Sequence, residues 1–371
     1  MSHVNERFQM THRFVASTGV MGIVVVAVLL ALVPVAAQAP TGAPRATAAQ
    51  GTPSAAVKPT APAKAKTWTA ASRTPDGQPD LQGFWTNTTY TSLERPKNVT
   101  KEFYTNQEAL ESEKRAAAAE NGADDTEPGT IADVHYNRTQ FDLSRNQGGL
   151  VLNLRTSLIV DPPDGKIPPM TAEGQKRTAQ RLEARKRMGA ATDSVQNQPY
   201  SARCILLHDV TPMLGGGYNN NYQILQTPGQ VMILVEMLHD VRIIPLDGRP
   251  HLPPNVRQWM GDSRGHWEGQ TLVVETTNFT DKTAFRGSSE NMRLTERFTR
   301  TDEDTIRYQF TVDDPATWAR SWSAEVPWKK SIGPLFEHAC HEGNYGLYNT
   351  LAGARAEEKR AAEEAAKKAS K

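Results

Sequence analysis

From Thr305 to Val312 the chain alternates without a break: Ile306, Tyr308, Phe310 and Val312 share one face, while Arg307, Gln309 and Thr311 share the other. Such a period of two predicts a β-strand with one buried and one wet face. Leu294 to Arg300 is expected to pair with it across Asp302-Glu303-Asp304, and Trp322, Ala324 and Val326 repeat the alternation. Upstream, Tyr222 to Gln226 meets Val231 to Val235 across Pro228-Gly229, where Pro presets the first turn position and Gly accepts the positive φ of the second. The unbroken apolar run of Val231 to Val235 predicts burial on both faces. Val241 to Leu246, which ends at Asp247-Gly248, and Thr271 to Thr276 supply further strands. Consecutive strands joined by short turns predict a mainly β fold with a minor α+β character, an antiparallel meander over residues 222–330 forming a barrel or a curled sandwich.

The first half reads differently. Leu81 to Thr86 is a short aromatic strand entered through a turn, and Thr105 with Glu108 has capping-box spacing ahead of an Ala- and Glu-rich helix reaching Glu120. Asn121 to Thr130 reads as a loop, and Thr156 to Val160 as a strand running into the turn Pro162-Pro163-Asp164-Gly165. Thr171 to Met188 is rich in helix formers and poor in apolar residues, which predicts a surface helix. Residues 101–200 therefore form a helical elaboration in front of the meander, within one domain spanning 68–354. The Ala-, Glu- and Lys-rich end, 355–371, is a charged helical tail.

At the N-terminus, Arg7 and Arg13 precede an apolar run from Gly19 to Ala37 and the small-residue site Ala37-Gln38-Ala39. This is the pattern of a signal peptide over 1–39, and the position of the small-residue site favours cleavage over a retained membrane span. Residues 40–67, rich in Ala, Pro and Thr, cannot bury enough apolar surface to offset their ordering entropy and read as a disordered linker. A periplasmic or secreted protein without a stable membrane anchor is expected. Its formal charge of +1, with no basic stripe, argues against nucleic acid as a partner and leaves a small molecule as the expected one. Two cysteines, Cys204 and Cys340, in an exported chain predict a disulfide.

Chemistry-bearing residues gather between Tyr218 and Gly269 and again between Glu337 and Tyr345. Tyr218 to Tyr222, Pro250-His251-Leu252-Pro253, Gly265-His266-Trp267-Glu268-Gly269 with Thr271 to Thr277, and Ala339 to Gly346 resemble an uncharacterised family of exported proteins from soil and aquatic bacteria. That resemblance covers most of the chain after Asp80 and implies no established activity.

Gly261-Asp262-Ser263-Arg264-Gly265 matches the G-x-S-x-G of a nucleophile elbow, but that elbow needs a strand before Ser and a helix after it. With no β/α alternation around it, the motif is expected to be a tight β-turn. Five histidines, His239, His251, His266, His338 and His341, fall in the second half. Together with Glu236 and Glu342 they are candidates for a zinc or iron site, so a divalent metal is a candidate cofactor; no H-E-x-x-H or C-x-x-C-H pattern is present, which favours the reading that the histidines hydrogen-bond turns and carboxylates. Arg242, Arg257, Asp262, Arg264 and Glu268, interleaved with Trp259 and Trp267, form either a pocket for a small polar molecule or a buried ion-pair network. Gly215-Gly216-Gly217 lacks the lysine and hydroxyl of a phosphate loop.

Two function classes follow. One is an enzyme acting on a small molecule, a hydrolase or lyase with Glu236, His239, His341 and Glu342 as catalytic groups. The other is a non-catalytic small-molecule-binding β-barrel of lipocalin type. Ligand contacts are assigned to Asn220, Tyr222, Arg257, Trp259, Asp262, Arg264 and His266, and the cavity is expected where the closing segment meets the meander, near His208 and Glu236.

Overall fold

The alternating segments become one antiparallel ladder. The computed structural model describes residues 72–122, 152–206, 211–214, 220–283 and 285–370. The signal peptide, the linker, Trp68, His208, Gly215 to Asn219 and most of the loop expected at 121–130 lie outside the described residues. The strands are β1 (Gly83–Thr86), β2 (Ile159–Asp161), β3 (Asn221–Thr227), β4 (Gln230–Val235), β5 (Val241–Pro245), β6 (Asp262–Glu268), β7 (Thr271–Thr277), β8 (Arg293–Arg300), β9 (Thr305–Asp313) and β10 (Trp322–Lys330). Their spatial order is β5-β4-β3-β1-β10-β9-β8-β7-β6, with β2 added beside β10. The sheet curls almost into a closed barrel.

Hairpin registers follow the turn residues. Thr227 faces Gln230 across Pro228-Gly229, and Gly229 takes the φ of +83° that the turn requires. In β4, Val231, Ile233 and Val235 are buried while Met232 and Leu234 are half-buried. One face is thus packed and the other partly open, a correction to the expectation of burial on both faces, since no layer covers the outside fully. β1 is the element the sequence did not place: Trp85 pairs with Tyr222 on one side and with Lys330 on the other, so four residues join the two halves of the sheet.

The inward faces carry the core. Trp85, Phe298, Tyr308, Trp322 and Trp328 are each 0% exposed. Tyr222 stacks on Trp328 at 4.4 Å between ring centroids, and Trp328 in turn meets Tyr308 at 5.3 Å and Phe298 at 5.7 Å. These rings pack against one another, so this part of the barrel interior is filled by side chains. Truncating any one of the tryptophans to Ala should cost about 3–5 kcal/mol.

The helices lie outside this barrel. α1 (Asn106–Gly122) starts with the expected capping box: Thr105 N donates to Glu108 Oε2 at 2.8 Å, and Glu108 N donates to Thr105 Oγ1 at 3.3 Å. α2 (Ala172–Met188) is capped by Thr171, and Gly174 is its one buried residue. α3 (Tyr345–Ala369) begins earlier than the composition alone suggested, because Asn344 caps Leu347 N and donates Nδ2 to Ala202 O at 2.9 Å. Cys204 and Cys340 form the expected disulfide, with Cα atoms 5.8 Å apart. Among the described residues no helix is long and apolar enough to cross a membrane.

Candidate functional site

β5 and β6 are the two ends of the sheet, and no backbone pairing joins them. At one end of this seam they touch through side chains: a Cβ on Gly265 would lie 2.7 Å from Leu246 Cδ2 and 2.8 Å from Ile244 Cγ2. Only glycine permits that approach. Gly261 to Gly265 does not form the tight turn expected of it, because Asp262 to Glu268 pairs along its length with Thr271 to Thr277. Asp262 to Glu268 is a strand, with Ser263 buried inside the barrel and sharing a 2.9 Å hydrogen bond with Thr276. Neither a turn nor a nucleophile elbow is present at this motif.

Arg242 staples the seam from within. Its Nη1 and Nη2 donate to Glu296 Oε1 at 3.0 Å and Oε2 at 2.6 Å, and Nη2 also reaches Ser263 Oγ at 3.2 Å. Tyr308 OH donates to Glu296 Oε1 at 2.7 Å and accepts from Met213 N at 3.1 Å. Burial works against the guanidinium charge, and Glu296 more than offsets it, so the Arg242 pKa is raised. Burial, then Glu296, pushes Tyr308 well above the phenol range. One buried cation thus bridges β5, β6 and β8. Sequence reasoning included Arg242 but missed Glu296, although Leu294-x-Glu296-x-Phe298 places a carboxylate on an otherwise apolar face.

At the other end the strands diverge around a cavity of about 490 Å³ lined by Val241, Arg242, Ile243, Arg257, Trp259 and Asp262, among others. Val241 and Ile243 point outward and are 46% and 56% exposed, and Trp259 is 38% exposed. The far wall is the 250–261 segment, held by Asn278, Arg257 and Asp262. Asn278, with a φ of +58°, donates Nδ2 to the carbonyls of Leu252, Pro253 and Val256 at 2.9–3.0 Å. Arg257 donates to Phe279 O, Glu290 O and Asn291 Oδ1, so it anchors the loop. Asp262 accepts from Leu252 N at 3.0 Å, forms an ion pair with Arg264 at 3.1 Å and contacts His251 Nδ1 at 2.9 Å. The carboxylate accepts from a backbone N–H and faces a guanidinium, so the Nδ1 of His251 is the donor in their contact.

The remaining expected residues do not join this cavity. Tyr222 stacks inside the barrel with its OH accepting from Asn87, and the buried Asn220 precedes it, its carbonyl accepting from Asn87 N. Glu236 is buried, accepting from Asn221 Nδ2 and from Phe336 N, both at 3.2 Å. His239 Nδ1 lies 3.2 Å from His338 O. The closing segment therefore does meet the β4–β5 connection as expected, but His341 and Glu342 are exposed beyond it. Leu238 and His239 there have φ of +58° and +47°, backbone held in the left-handed region. Burial lifts the Asp240 carboxyl to about 6, with His239 pulling the other way. His266 sits apart in an exposed trio, 3.2 Å from Glu268, which Arg297 meets at 2.8 Å. Among the described residues, no three His, Cys, Asp or Glu side chains gather in a group that would hold a metal ion.

Comparison of this chain with protein-family models, curated proteins and solved structures yielded no match.

Proposed function

We propose that this chain is an exported protein that binds a small molecule with a planar apolar part, and that the ligand occupies the seam cavity. The observation that carries this reading is the cavity itself: a half-exposed indole and two outward aliphatic side chains face one another across a gap where strand pairing stops. Rigid apolar walls with a few placed polar groups are the usual make-up of a ligand site. Arg242 adds a donor, since its buried Nε–H has no hydrogen-bond partner. A carbonyl on the ligand would satisfy it. The export signal and the disulfide support an oxidising, extracytoplasmic setting.

A second reading makes the same site catalytic. His251 is the one histidine bonded to a buried carboxylate among the described residues, and that carboxylate, Asp262, lines the cavity, so the pair is the candidate for proton transfer with a bound substrate. Calorimetric titration with planar amides and ketones tests both readings. A compound whose affinity falls at least about tenfold in Trp259→Ala and in Ile243→Asp supports the cavity, and affinity unchanged in both variants rejects it. Turnover of a bound compound that His251→Gln abolishes, with affinity retained, selects the enzyme.

A further inference from the structure

A second cavity, of about 540 Å³, lies between the end of α2 and the 196–201 segment. Its apolar wall includes Met188, Tyr200 and Leu206, and three cations, Arg181, Arg185 and Lys282, share it with one carboxylate, Asp281. We propose that this cavity is a site for an amphipathic organic anion, an aromatic or aliphatic body carrying a carboxylate or sulfonate, distinct from the seam cavity.

The walls are built rather than incidental. Asn197 donates Nδ2 to Met188 O at 2.7 Å and to Ala190 O at 2.9 Å, and Gln198 donates Nε2 to Ala191 O at 2.7 Å, so the segment is tied to the helix end. The disulfide at Cys204 anchors the far side. Tyr200 meets Trp259 edge to face at 5.1 Å, and the Lys282 ammonium sits 5.7 Å from the Trp259 ring centre. An aromatic partition therefore separates the two cavities, with a cation poised on it.

The charge in this wall lacks matching carboxylates. Arg181 spends its donors on three backbone carbonyls, Gly287 O at 3.2 Å, Ser288 O at 2.9 Å and Asp281 O at 3.4 Å. Burial and then the neighbouring Arg177 depress its pKa, and Asp281 and Asp314 offset this only in part. Neither Arg185 nor Lys282 forms an ion pair with any of the described residues. Basic residues at the end of a helix also complement its dipole, which accounts for Arg185 on α2 but not for Lys282 on a separate segment across the cavity.

Two probes of one shape separate charge from apolar burial: anilinonaphthalene sulfonate, and the uncharged phenylnaphthylamine. The sulfonate is expected to bind the full mature protein more tightly than the neutral probe, and its affinity is expected to fall with added salt. Arg185→Gln with Lys282→Gln, both exposed positions, should weaken the sulfonate by about tenfold and leave the neutral probe unchanged. Met188→Glu should weaken the sulfonate more than the neutral probe, and Ile243→Asp in the seam should leave the sulfonate unaffected. Equal affinity for the two probes, an equal response of both to the double substitution, or loss of the sulfonate in Ile243→Asp would overturn the proposal. Because Ile243→Asp reports on the seam alone, failure here is distinguishable from failure of the seam reading.

Discussion

Arg242 and Glu296 meet fork to carboxylate inside the barrel, with side chains 2% and 0% exposed. A buried pair of this kind is costly to break from one side and cheap to replace whole, because the loss lies in the charge left behind. Glu296→Gln should therefore lower stability by about 3–5 kcal/mol, and Arg242→Met with Glu296→Leu should recover most of that loss. Urea unfolding of the two variants beside the parent protein measures both. Equal loss in the single and double variants would mean that the pair matters for its packing and not for its charge.

Gly265 keeps the seam shut. Replacing it with Val puts branched carbons where Ile244 and Leu246 already lie, and β5 and β6 must move apart. A loss of about 1–3 kcal/mol is expected from this overpacking. Hydrogen exchange should quicken at β5 and β6 before it does at β8 and β9; uniform quickening would show that the seam is not the weak line.

Asp240 makes stability depend on pH. Burial lifts its carboxyl from 3.8 to about 6, against the opposing pull of His239, so the folded chain holds the proton more tightly than the unfolded chain does. This contribution to stability is present below about pH 4 and is lost as pH rises through about 6. Asp240→Asn should raise the thermal midpoint above pH 6 and leave it unchanged near pH 4. A midpoint difference that is flat with pH would assign the effect to something other than this carboxyl.

Asn278 tests whether the loop or the loop's side chains make the site. Asn278→Gly keeps the positive φ at no steric cost and removes three hydrogen bonds to carbonyls, worth about 1 kcal/mol each. Affinity at the seam cavity should fall even though Trp259 and Asp262 are untouched. Full affinity in a loosened loop would show that the 250–261 segment is not preorganised for binding.

Sequence patterning revealed those parts of the fold where one face of a strand is wet and a turn residue marks its end. β8, β9 and β10 alternate cleanly, so their faces and registers are legible in residues such as Ile306 and Trp322. β6 was not, because Asp, Ser, Arg and Gly are poor strand formers, and the reason for Gly265 lies on β5. The site was half legible. Arg257, Trp259 and Asp262 do flank one cavity, whereas Asn220, Tyr222 and Glu236 are interior groups and His341 lies beyond the junction. No local pattern distinguishes a histidine oriented by a carboxylate from one that is not, so His251 stood out no more than His266. Asn278 carries its role in a backbone angle, which composition does not reveal.

The position of β1 sets an order on assembly. The β3 to β5 hairpins and the β6 to β10 meander join strands that are neighbours in the chain, but Trp85 must find Tyr222 on one side and Lys330 on the other. Loop-closure entropy makes pairings of that separation slow to form. Among these strands, the first to leave the ribosome is therefore the last to dock. Until it does, β3 and β10 each present an open edge that another copy of the chain can extend. Four residues, Gly83–Thr86, thus act as a keystone whose arrival covers both of those edges at once.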